Sequence, residues 1–161
     1  MVSPCAHTSE PSRGLSGASL TAELTAAERR CEAASERLTA PRRRALELLL
    51  TAGQPVKAYE LLSAFRAGGG DPAKPPTVYR ALEFLERQGF AHRIESLNAY
   101  VACRCGARAH PTAFLICDCC GATAEVEQPA EPLAGALGAA SGYALSSLSI
   151  EAHGLCAACR G

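Results

Sequence analysis

With 161 residues, 48% of them hydrophobic but only 5% aromatic and none Trp, the chain suits one ordinary domain or two small ones with few large core side chains. Its net charge of zero hides a division: residues 1 to 36 carry three Arg against five Glu (−2), residues 37 to 92 nine Lys/Arg against five Asp/Glu (+4), and residues 93 to 161 four against six (−2). A basic segment between acidic ones fits a chain of which one part meets a polyanion, and no apolar run approaches the ~18 residues of a membrane span.

Residues 1 to 18 are rich in Ser, Pro and Gly without an apolar period and read as a disordered tail. From Ser19 to Glu36, Ala, Glu and Arg dominate, which predicts a first helix. LTAPRRRALELLLTAG predicts a second, with Thr39 as N-cap, Pro41 in the first turn, apolar Ala45, Leu46, Leu48, Leu49 and Leu50, and Gly53 as the stop. KAYELLSAFRAGGG gives a short third helix through Ala58, Leu61, Leu62 and Phe65, ended by Gly68, Gly69 and Gly70. In KPPTVYRALEFLERQGF, Pro75 and Pro76 suit a helix start, Thr77 is a candidate cap, and Val78, Ala81, Leu82 and Leu85 recur at i, i+3, i+4 and i+7 until Gly89. Tyr79, Arg80, Glu83 and Arg87 are left on other faces.

FAHRIESLNAYVAC then reads as two short strands around Ser96 and Asn98. Helices followed by a hairpin make a winged helix-turn-helix, here residues 19–101, whose second helix of the pair enters the major groove. Within this domain Arg42, Arg43, Arg44 and Lys74 are expected on phosphate, Arg80 on a guanine edge and Tyr79 on a base or phosphate. The alternative for the Arg42 to Arg44 run is a solvated helix start. Residues 102–161 change character: strand AFLIC, turn CCG, strand ATAEVEQ, a helix over Pro129 to Ala140, strand ALSSLSIEA and a cysteine-bearing tail. They read as a separate α+β domain.

Nine cysteines would suit a secreted disulfide scaffold, but the count is odd and no basic-then-apolar signal segment is present, so a cytoplasmic chain with reduced thiols is expected. Cys117-x-x-Cys120 and Cys156-x-x-Cys159 are then the informative pairs. Each turns two thiolates toward one point, and two pairs complete the tetrahedron of a structural zinc site. Thirty-five residues separate them, which fits if a strand, helix and strand return the chain to its start. Cys119, next to Cys120, is expected to stand aside, as are Cys5 and Cys31. The alternative for the pairs is redox chemistry, which needs one C-x-x-C and not two.

A less regular set, His92, Cys103, His110 and Glu125, supplies N, S and O donors that suit zinc, although each has an ordinary reading alone and spacing does not select the set. His153, just before the last pair, is expected to pack beside the metal or behind its ligands.

The run AKPPTVYRALEFLERQGFAHRIESLNAYVAC, then FLICDCCG, then IEAHGLCAAC, closely resembles the ferric uptake regulator family, and within it the zinc uptake regulators. The resemblance covers about Ser19 to Cys159. It implies an N-terminal winged-helix DNA-binding domain hinged to a C-terminal α/β dimerisation domain. It also implies one structural zinc on Cys117, Cys120, Cys156 and Cys159, and one exchangeable regulatory zinc on His92, Cys103, His110 and Glu125. Tyr79 and Arg80 match recognition-helix positions facing DNA. Iron, manganese and peroxide sensors of the family carry an H-H-D-H-type run where this chain has CRCGARAHPT, which favours zinc; Cys105, two residues past Cys103, is an alternative ligand. The implied function is a zinc-dependent repressor, a homodimer on operator DNA with no membrane partner and no enzymatic activity, controlling zinc-uptake genes.

Overall fold

The computed structural model describes residues 14–67, 74–103, 112–126, 130–145 and 148–160. The chain divides into two compact units, one spanning Ser12–Arg108 and the other holding Ala109–Gly161.

In the first unit, α1 runs over Gly17–Ala33, α2 over Ala40–Ala52, α3 over Ala58–Ala67 and α4 over Pro75–Arg87. The α1 helix starts within the stretch expected to be disordered, because the chain is already anchored: the Leu15 N–H donates to Leu50 O at 2.8 Å. Thr39 does precede α2, but without a side-chain cap; its carbonyl accepts from the Arg43 N–H at 2.8 Å. Gly53 ends α2 in the left-handed region (φ 62°), a conformation that costs a residue with a Cβ, and its N–H returns to Leu49 O. Thr77, expected as a cap, lies inside α4. The helix starts at Pro75 after Lys74 because both prolines have a preset φ and lack the N–H that a cap would satisfy.

The wing is β2 (Ala91–Ile94) and β3 (Ala99–Ala102), paired antiparallel with His92 opposite Val101, and Asn98 takes the left-handed turn position. A strand absent from the sequence reading, β1 (Val56–Lys57), adds to β3 and gives the order β1-β3-β2. Two residues are too short to show a period. The stripe Val78, Ala81, Leu82 and Leu85 is buried against Leu46, Leu49 and Leu61, as its helical spacing requires.

The second unit holds β4 (Thr112–Cys117), β5 (Thr123–Val126), α5 (Ala130–Ser141), β6 (Ser149–Gly154) and α6 (Ala157–Arg160). Its sheet order is β5-β4-β6, with β4 antiparallel to β5 and parallel to β6. Parallel neighbours need a crossover, which α5 supplies. Phe114 and Ile116 are buried, while Leu115 on the opposite face of β4, Leu133 and Leu137 one turn apart on α5, and Tyr143 are exposed. Mixed helix and sheet in both units agree with the α+β class. Among the described residues no helix is long and apolar enough to cross a membrane.

Candidate metal centre and nucleic-acid face

The parallel register of β4 and β6 ends with Cys117 opposite Gly154, so the first C-x-x-C leaves the sheet beside the start of the second. Gly121 takes the left-handed conformation (φ 74°), and its N–H returns to Cys117 O at 2.9 Å, turning Cys120 back under Cys117. The donor sulfurs of Cys117, Cys120, Cys156 and Cys159 all lie within 4.8 Å of one another, with Cys120 Sγ and Cys156 Sγ 3.7 Å apart. A tetrahedral zinc with ~2.3 Å bonds to sulfur needs sulfurs about 3.8 Å apart, so the donor set fits zinc. Cys119 is outside the four, its sulfur held in a disulfide, which departs from the reduced thiols expected throughout.

The site also favours thiolate. The Cys156 N–H donates to Cys117 Sγ at 3.3 Å, and with further N–H groups of Cys120 and Cys119 it lowers the Cys117 pKa from 9.0 to about 6. Burial, then hydrogen bonds with the other three cysteines, push Cys159 upward instead. Four thiols packed this closely resist ionising together until a cation joins them. Just outside, His153 Nδ1 meets Asp118 Oδ1 at 3.0 Å and the Asp118 N–H donates to Gly154 O at 2.8 Å, tying the β4 and β6 ends together.

Within the winged-helix unit, His92 on β2 and Cys103 just past β3 bring donor atoms within 4.8 Å of each other. The pairing of the wing strands does this: Ala91 faces Ala102, and the Cys103 N–H donates to Phe90 O at 2.9 Å. Glu125 is on β5 of the other unit. His110 and Cys105 lie outside the described residues.

On α4, Tyr79 is 46% exposed, and Arg80 and Lys74 are exposed with no ion pair among the described residues. Tyr59 on α3, the helix before α4, is 61% exposed. The sequence reading passed over it, although it is a large aromatic off the Ala58, Leu61, Leu62, Phe65 stripe. The arginine run is less available than expected. Arg43 pairs with Glu28 and Arg44 with Glu47, each at 2.8 Å, and Arg42 lies 3.5 Å from the Phe84 ring centroid.

The sequence profile of the Ferric uptake regulator family matches residues 33–153. The chain is 46% identical to the Zinc uptake regulation protein of Escherichia coli (strain K12) over 142 residues, which span 86% of this chain and 82% of that protein. Among solved structures it is similar to a Zinc Uptake Regulator complexed with zinc and DNA, with 42% identity, a TM-score of 0.81, and coverage of 89% of this chain and 97% of that one. It is also similar to holo XcZur, with 43% identity, a TM-score of 0.77, and coverage of 86% and 97%. Since the match extends from the end of α1, past the whole wing, to the threshold of the second cysteine pair, the chain belongs to the ferric uptake regulator family.

Proposed function

We propose that this chain is a cytoplasmic, zinc-responsive transcriptional repressor that binds operator DNA as a zinc-loaded homodimer and controls zinc-uptake genes. The observation that carries the reading is the convergence of four thiols at zinc spacing in a chain that also presents Tyr79 and Arg80 on a winged helix. The zinc-binding and DNA-binding relatives support it further.

Cys117, Cys120, Cys156 and Cys159 would hold a structural zinc, which when bound ties the two knuckles together. His92, Cys103, His110 and Glu125 would hold a second, exchangeable one. His92 and Cys103 belong to the winged-helix unit and Glu125 to the other, so ligation by the full set selects one orientation of the recognition helices. Affinity for DNA then rises with zinc, and DNA must reciprocally tighten zinc. Arg80 reads a base edge, Tyr79 and Tyr59 contact base or backbone, and Lys74 meets phosphate. Arg43 and Arg44 reach phosphate by exchanging it for Glu28 and Glu47. Exposed Leu133, Leu137 and Tyr143 offer an apolar surface for the partner protomer.

The low pKa of Cys117 is the one observation that suits a thiol oxidoreductase. Four converging thiols suit a closed metal site better, and the reading is of a regulator, not an enzyme. The test is zinc per chain during graded chelation, with operator binding followed in parallel. Two zinc ions, one readily removed together with DNA affinity, are expected; DNA binding indifferent to zinc overturns the reading.

A further inference from the structure

Glu36, Arg42, Phe84 and Arg87 meet where the segment after α1 reaches the end of α4, and neither zinc site uses them. Helix α4 turns Val78, Ala81, Leu82 and Leu85 to the core, and Phe84, at the margin of that stripe, joins the same buried cluster. It is 1% exposed. The Arg42 guanidinium lies over its ring at 3.5 Å from the centroid, and that of Arg87 at 5.5 Å. Glu36 joins the two cations, 4.0 Å from Arg42 and 3.5 Å from Arg87, and its own N–H is fixed on Cys31 O at 2.8 Å. Arg42 also donates to Arg37 O at 2.6 Å.

This arrangement uses the two properties that separate arginine from lysine, a planar face that stacks on an aromatic ring and a fork that donates in several directions at once. Both are spent inside the protein. The Arg42 side chain is also less exposed (27%) than that of Arg43 (41%), Arg44 (37%) or Arg87 (61%).

We propose that Arg42 is a positioning residue for the recognition helix and not a phosphate contact: it covers Phe84 and ties the end of α4 to the segment after α1, holding Tyr79 and Arg80 at a fixed presentation. The inference rests on the DNA-binding reading, so its test has one arm with DNA and one without.

In the first arm, binding of the full-length, zinc-loaded chain to operator and to random DNA is measured against salt. A phosphate contact contributes about 0.9 to the slope of log K against log salt and serves every sequence alike. Arg42→Ala and Phe84→Leu are both expected to weaken operator binding more than random binding while leaving the slope unchanged, and Arg42→Lys is expected not to restore Arg42→Ala. A slope reduced by about 0.9, with equal losses on both DNAs and rescue by lysine, overturns the proposal.

In the second arm, denaturant unfolding of the DNA-free chain is compared for Arg42→Ala, Phe84→Leu and the double variant. Each single change is expected to shift the folding equilibrium about tenfold, with the double variant little worse than either. Additive shifts overturn the proposal. If the wild-type chain binds no operator, the DNA-binding reading falls and the second arm alone decides.

Discussion

Replacing Cys120 by Ser removes one corner of the sulfur tetrahedron without altering the knuckle backbone. In the second unit the large buried apolar side chains among the described residues are Phe114 and Ile116, worth about 1.5–3 kcal/mol each. A structural zinc in a small domain contributes on the order of 10–16 kcal/mol. Most of what holds this unit together is therefore expected to come from the metal. Cys120→Ser should lose the chelator-resistant zinc and, with it, the unit's own cooperative unfolding, while the winged-helix unit, packed on its separate core, keeps its transition. The assay is zinc per chain after dialysis against chelator, paired with calorimetry of the full chain. Cys119→Ser, outside the four donors, is the control and, with all chains kept in reductant so that its disulfide is open in each, should retain the metal. A Cys120→Ser chain with full zinc content and unchanged unfolding would refute the reasoning.

Arg80→Ala should cost about 1–3 kcal/mol on operator and much less on random DNA, read by competition binding; equal losses would make Arg80 a phosphate clamp. His92→Ala should leave one tightly held zinc per chain and abolish the zinc dependence of DNA binding, measured by metal analysis with fluorescence anisotropy. Leu82→Ala, emptying a fully buried site in α4, should destabilise the winged-helix unit by about 2–5 kcal/mol in denaturant titration.

The elements that were legible in the sequence are those whose signal is local. Leu46, Leu49, Val78, Leu82 and Leu85 declare their helices by period, Gly53 and Gly89 end them by conformation, and the doubled C-x-x-C states its own ligand number. Long-range events were not legible. The two-residue strand β1 exists only because β3 lies beside it, and α1 starts early because Leu15 finds the carbonyl of Leu50. Phe84, which the i, i+3, i+4, i+7 pattern does not include, is buried with the core and has Arg42 over its ring. Arg42, expected on phosphate, stacks on that ring, since charge alone does not say which partner a guanidinium takes. His92 and Cys103 show the limit from the other side: spacing did not join them, and only strand pairing across the wing brought their donor atoms close.

The parallel alignment of β4 with β6 makes the segment from Cys120 to Cys156 a loop whose two ends meet at one cluster of thiols, which a bound zinc would pin. Loop closure scales slowly, about 0.6 kcal/mol for each doubling of length, and once the knuckles are clipped that cost no longer opposes folding of what lies between. A longer stretch between α5 and β6 would therefore add little to the cost of closing the clasp. New surface is most cheaply acquired there, and a reporter peptide inserted just after Gly142 should leave zinc retention intact.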